Sequence, residues 1–347
     1  MASQHLEAGA DSMWKKAFLG LLLLVIVAAG VVVFYSSGGD SSQQEVVATA
    51  APPRTLARPN EPITPITTPS GLNAQKVILG QILFHDARLS RDGTISCATC
   101  HDLSRGGVDN LPRSFGVGGA EGEINTPTVY NSSLNFRQFW DGRALTLEEQ
   151  AEGPILNPVE MAASWEHVLA VLRGDQNISE RFRAVYGAAA TKERVLEAIA
   201  EFERSLVTPS RFDRWLNGDD NAITAEELEG YNLFKRYGCA TCHNGENVGG
   251  GIFQRFGVTL DYFAGREPTK ADLGRFNVTG RVEDKHIFKV PGLRNVALTA
   301  PYFHDASAET LQEAVAIMGR YQLGMSLPDD DIKRIMLFLN SLTGEQL

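Results

Sequence analysis

Cys97-Ala-Thr-Cys100-His101 and Cys239-Ala-Thr-Cys242-His243 are two copies of one pentapeptide, and together they hold all four cysteines of the 347-residue chain. Cys-x-x-Cys-His is the attachment pattern of c-type haem: two thiols form thioether bonds to the porphyrin edge and the adjacent histidine is held beneath the iron. A four-ligand zinc site would need the two pairs to converge from distant parts of the chain, and it has no use for a histidine after each pair. A redox dithiol calls for one such motif beside a βαβ pattern, and no such pattern is present. Two covalently bound c-type haems are therefore the expected cofactors.

Working outward, each pentapeptide follows a Leu-Phe pair, Leu83-Phe84 and Leu233-Phe234, on a stretch with helical apolar spacing such as Val77, Ile78, Ile82 and Leu83. Downstream, Pro127-Thr-Val-Tyr-Asn131 through Phe139-Trp140-Asp141 and Thr146-Leu147-Glu148-Glu149 aligns without a gap on Pro291-Gly-Leu-Arg-Asn295 through Phe303-His304-Asp305 and Thr310-Leu311-Gln312-Glu313. The chain reads as a duplication. The expected fold is mainly α, with two tandem cytochrome c-like haem domains at residues 70–215 and 216–347. In the same register Met318 falls opposite Pro154. A thioether is a good sixth ligand for haem iron and raises its potential, whereas proline offers no ligand. The second haem is thus expected to be closed by His243 and Met318, with Met325 as the fallback, and the first, on His101, to keep an open face. A core methionine on an amphipathic helix is the competing reading of Met318.

Residues 17–39 carry no charge, and 18–35 are almost wholly apolar, long enough as a helix to cross a hydrocarbon core of about 30 Å. Lys15 and Lys16 stand before this run, Asp40 and Glu45 after it. The positive-inside rule then leaves residues 1–16 in the cytoplasm, makes 17–35 a transmembrane anchor in the inner membrane and places the remainder in the periplasm. A cleaved signal peptide is the rival reading. Its apolar core is usually shorter and its cleavage site closer than Ala48-Thr49-Ala50. Residues 36–69, rich in Ser, Gly and Gln with six prolines, read as a flexible linker that does not pack. The net charge of −10 argues against nucleic acid as a partner.

At this point the chain resembles the bacterial di-haem cytochrome c peroxidase family, which includes a related oxidase that modifies tryptophans of a partner protein. The resemblance runs from about Leu72 to Gly344. It is carried by Leu79-Gly80, Arg88-Leu89-Ser90, Ile95-Ser96-Cys97, Gly106-Gly107, Phe139-Trp140-Asp141-Gly142-Arg143-Ala144, Gly153-Pro154, Val159-Glu160-Met161, Leu293-Arg294-Asn295-Val296, Pro301-Tyr302-Phe303-His304 and Gln322-Leu323-Gly324. It implies reduction of hydrogen peroxide at the first haem, with electrons from a small cytochrome c or cupredoxin entering at the second. Glu160 would be the distal acid/base, Gln150 its neighbour, Trp140 the group between the haems and Met318 the axial ligand. Asn125 with the carbonyls of Thr299 and Pro301 would hold one calcium ion, for which oxygen ligands are suited. His304 would be structural or coupling, and a homodimer is implied by the resemblance alone.

Chemistry supports the role of Glu160: heterolysis of peroxide needs one group to take a proton from the iron-bound oxygen and return it to the leaving oxygen. The sequence departs from the family at Val117, where many members carry a histidine that caps the first haem until the second is reduced. Valine cannot ligate iron, and His85, His167 and His286 are not obvious substitutes. The first haem is expected to react with peroxide without prior reduction. Two other functions compete. A partner-modifying oxidase would have tyrosine as the second distal ligand, so Met318 argues against it while Tyr321 keeps it open. A non-catalytic, membrane-tethered electron carrier would have two six-coordinate haems.

Overall fold

The computed structural model describes residues 57–345, which fall within one compact unit. It is mainly helical: α1 (Ala74–Phe84), α2 (Cys97–Cys100), α3 (Leu147–Leu156), α4 (Trp165–Gly174), α5 (Gln176–Tyr186), α6 (Lys192–Ser205), α7 (Arg211–Leu216), α8 (Ala225–Arg236), α9 (Phe276–Thr279), α10 (Leu311–Gln322) and α11 (Asp329–Ser341). β1 (Phe253–Arg255) and β2 (Ile287–Lys289) pair antiparallel, with Phe253 opposite Lys289. Helix starts follow the sequence. Asn73 accepts from the N–H of Gln75 and Lys76, and Thr224 and Thr310 form capping boxes with Glu227 and Glu313. The anchor at 17–35 and most of the linker at 36–69 lie outside the described residues. Among the described residues no helix is long and apolar enough to cross a membrane.

Two large hydrophobic cores form among the described residues, one around α1 and α6, the other around α8 and α11, with smaller clusters at Phe256, Phe263 and Phe288 and at Tyr302, Ala308 and Ala314. The same device builds both. Gly80 in Gly80-Gln-Ile-Leu83-Phe84 lies against the backbone of Ala198, and Gly230 in Gly230-Tyr-Asn-Leu233-Phe234 lies against the backbone of Arg334; a Cβ at either position would overlap that carbonyl. The missing side chains let each helix pair approach closely. The phenylalanine that follows then meets an aromatic partner, Phe84 with Phe202 at 5.3 Å and Phe234 with Phe338 at 5.1 Å. On the other side it approaches the haem-motif histidine, His101 at 6.5 Å and His243 at 6.4 Å.

The repeat extends to backbone geometry. Asn131 and Asn295 both take left-handed conformations with φ of 59° and 60°, and Phe139 and Phe303 match at 68° and 70°. Both asparagines converge on one residue: Asn131 Nδ2 and Asn295 Nδ2 donate to Thr208 Oγ1 at 2.8 and 2.9 Å. Thr208 N in turn donates to Asn131 Oδ1. Beside this clasp Arg294, 2% exposed, makes a two-pronged ion pair with Asp213 at 2.7 and 2.8 Å.

Two expectations need adjustment. Residues 57–69, read as part of an unpacked linker, lie along the second core: Ile63 and Ile66 are buried, and Ile66 N donates to Asp213 Oδ1. Two isoleucines spaced three apart in an extended, proline-rich segment carry no helical period, so the packing left no periodic trace. In addition Phe212 and Trp215 of α7, on the first side of the expected boundary at 215, belong with Leu216 to the second core.

Gly80→Ala and Gly230→Ala should each destabilise the haem-loaded protein by about 1–3 kcal/mol through overpacking against a backbone carbonyl. Gly174→Ala, at a helical position with open space around the added methyl, should be neutral or stabilising. Denaturant unfolding of the three variants checks this. Equal stabilities would refute close approach as the reason for the glycines.

Candidate active site: two cavities and the seam between them

Each haem motif opens onto its own cavity. The first, about 570 Å³, is lined by Cys97, Cys100 and His101 together with Trp140, Arg143, Gln150, Pro154, Asn157, Glu160 and Met161. The second, about 280 Å³, is lined by Cys239, Cys242, His243 and Met318. In both, the histidine Nδ1 lies near a backbone carbonyl, Gly107 O at 3.2 Å for His101 and Val248 O at 3.3 Å for His243. A bond there fixes the ring and leaves Nε2 for a metal. Burial pulls both imidazoles down, His243 to about 4, so each is neutral as a ligand must be. Burial pushes the thiols up, Cys97 to about 12 and Cys100 and Cys239 to about 11. All four are free of disulfides.

These cavities fit c-type haem. Each brings two thiols and a neutral imidazole to one wall, as the motif requires. The first also holds two polar atoms that are buried with no hydrogen-bond partner, Ser132 Oγ and Glu203 Oε2. Burial and the charge of Glu148 push the Glu203 carboxyl up to about 8. Such groups are costly unless something polar meets them.

Glu160 stands on the first cavity's wall at the end of a tight turn after α3. Asn157 Nδ2 donates to its Oε1 at 2.6 Å, which leaves Oε2 for exchange of a proton. Burial raises its pKa, opposed by the Asn157 bond and by the charge of Arg143. Arg143 itself lies over the Phe139 ring and pairs with Asp141. Gln150 and Pro154 come to the same wall from α3. Val117 is buried and its N–H donates to Glu160 O at 2.8 Å, but its side chain does not line the cavity. Among the described residues His101 is the one histidine on that wall. His85 bonds Gln81 O, His167 bonds the carbonyls of Arg88 and Ser90, and His286 stacks on Phe263. Met161 borders the cavity and is part of the apolar core.

Met318 shares the second cavity with His243, whereas Met325 is exposed and Tyr321 stands off the wall against Tyr262. Trp140 borders both cavities. Its Nε1 donates to Asn125 O at 2.9 Å, and its ring meets His304 edge-on at 6.3 Å. His304 Nε2 bonds Asp272 Oδ1 at 2.8 Å. Asn125, Thr299 and Pro301 gather near this seam. Asn125 Nδ2 is spent on Leu111 O, and the neighbouring carbonyls of Leu298 and Ala300 accept from Asn110 Nδ2.

Sequence reading assigned no role to Asn157, Arg143, Phe288 or Glu203. Phe288 borders both cavities as Trp140 does. The Asn-Pro turn three residues before Glu160 was the available signal for Asn157. Nothing local marked Glu203 out from any helical glutamate.

Comparison with known proteins agrees with this geometry. Residues 74–221 match the family model described as di-haem cytochrome c peroxidase. The chain is 54% identical over 287 residues to cytochrome c peroxidase Ccp of Escherichia coli, an alignment covering 82% of this chain and 62% of that protein's length. It is 51% identical over 289 residues to cytochrome c551 peroxidase of Nitrosomonas europaea, covering 83% and 85%. Among solved structures, a MauG-like protein associated with microbial copper homeostasis superposes with a TM-score of 0.70 at 28% identity, covering 82% of this chain and 94% of that one. With the two haem motifs each on its own cavity and 51–54% identity to curated cytochrome c peroxidases over 82–83% of its length, this chain belongs to the di-haem cytochrome c peroxidase family.

Proposed function

We propose that this chain reduces hydrogen peroxide at the first cavity, consuming two electrons and two protons to give two waters. The electrons would enter at the second cavity from a small c-type cytochrome or a cupredoxin. The observation that carries the reading is the position of Glu160, a half-buried carboxyl with a raised pKa on the wall that also holds Cys97, Cys100 and His101. A haem held by Cys97, Cys100 and His101 would supply the electrons and a place for one oxygen of the peroxide to bind. Glu160 Oε2 takes the proton from that oxygen and delivers it to the departing one, while Asn157 holds Oε1 in place. Arg143 keeps the carboxylate form accessible against the cost of burial. Gln150 would orient the substrate from α3.

His243 and Met318 would close the second haem, and Trp140 with Phe288, common to both walls, would carry electrons across. The name of the Nitrosomonas relative, a cytochrome c551 peroxidase, supports a small cytochrome as donor. Tyr321 off the wall and Met318 on it weigh against a partner-modifying oxidase. Asn125 with the carbonyls of Thr299 and Pro301 would bind one calcium ion at the seam, for which oxygen ligands are suited. We further propose an inner-membrane anchor at 17–35, a periplasmic catalytic unit and a homodimer.

Glu160→Gln should lower kcat/KM for peroxide by about 10²–10⁴-fold with intact haem spectra. In the wild type the rate should fall as pH drops through the raised pKa of Glu160, above the ordinary carboxylate range, because the protonated form cannot accept a proton. That acid limb should vanish in the variant. A wild-type limb that persists unchanged in Glu160→Gln would remove this residue from the mechanism. Peroxide should also react with the fully oxidised protein as fast as with the half-reduced form in stopped-flow mixing, since Val117 leaves no imidazole cap. A requirement for prior reduction would sink that expectation.

A further inference from the structure

Lys289, the last residue of β2, is 8% exposed and borders the second cavity. Among the described residues its ammonium has no carboxylate or carbonyl partner, and burial alone pulls it down to about 8. The other cations on that wall are committed elsewhere: Arg294 pairs with Asp213, and Arg255 donates to Glu283 O. A buried charge with no partner costs several kcal/mol, so a lysine held this way implies an anion in the space it faces. A haem brings two carboxylates with it, on its propionate arms. Extending the repeat two residues upstream places Asn125 where the second half has Lys289. The first cavity carries instead a buried carboxyl, Glu203. The first wall also carries Arg143 and Lys270, whereas among the described residues the second wall holds no carboxylate at all.

We propose that Lys289 Nζ is the counter-ion of a propionate of the second haem and raises that haem's potential. A cation close to the porphyrin favours the form with one more electron, in the same direction as a thioether ligand. The residue also reaches the seam, since Lys289 N donates to Trp140 O at 2.8 Å. The propionate, Lys289 and Trp140 then form one bonded chain from the second haem toward the first. This assignment deepens the reading of two c-type haems and rests on it.

The test is spectroelectrochemical titration of the haem-loaded protein as wild type, Lys289→Met, Lys289→Gln and Lys289→Arg, with haem counted by pyridine haemochrome. Both neutral variants should shift the oxidised-to-reduced ratio of the second haem at fixed potential by at least tenfold toward oxidised, about 59 mV for one electron. The first haem should not move, and Lys289→Arg should restore the wild-type value. Unchanged second-haem potentials in the neutral variants with two haems bound would overturn the assignment alone. A wild-type count of one haem would overturn the parent reading with it.

Discussion

Two asparagines sharing one threonine hold the two halves of this molecule in register. Asn131 and Asn295 occupy the same place in the internal repeat, and both donate to Thr208 Oγ1 from left-handed backbone conformations. The bonds are reciprocal, since Thr208 N donates to Asn131 Oδ1 and Gly344 N donates to Asn295 Oδ1. Buried amides that are fully bonded specify one geometry because any slippage leaves several polar groups unpaired at once. Arg294 and Asp213 extend the constraint, gathering α7, the segment at Thr64 to Ile66 and the loop after the second haem motif around one ion pair. The distance between the cavities and the placing of Trp140 between them follow from this junction.

The two halves share a backbone plan and differ where chemistry needs them to differ. Each uses a glycine to bring two helices together and a phenylalanine beside the haem-motif histidine. One wall then receives Glu160, Arg143 and Gln150, the other Met318 and Lys289. In the proposed reading the first set handles protons. The second brings a thioether and a positive charge, both of which would favour the reduced form of a haem bound there. Duplication followed by divergence at wall positions accounts for this with no change in the packing beneath.

Between the walls, Trp140 is held at three points: its indole N–H to Asn125 O, its carbonyl by Lys289 N and its ring edge by His304. His304 is fixed in turn by Asp272, which also pairs with Arg266. A side chain so restrained presents one orientation to both cavities, which suits a fixed electron path better than a mobile one. The counterpart of Trp140 in the repeat is His304 itself, so the paired positions of the two halves meet in space.

Much of this was legible in the chain. The pentapeptides named the cofactor because covalent attachment needs a local motif with fixed spacing, and the gapless repeat pointed to Met318 opposite Pro154. Glu160 came from resemblance. The packing of Ile63 and Ile66 was not legible, because an extended segment buried on one side by two residues has no period to detect. The affiliation of α7 was equally hidden, since a six-residue helix can join either neighbour and only the contacts of Phe212 and Trp215 decide. Sequence by itself determined the cofactor and the duplication and set Met318 opposite Pro154, all of which depend on residue type at short range. Tertiary structure alone decided that Glu203 and Lys289 line different cavities with no ion-pair partner among the described residues, that Trp140 borders both, and that one threonine joins the halves. Burial and the absence of a partner are properties of the space around a side chain, and that space is made by residues far away in the chain.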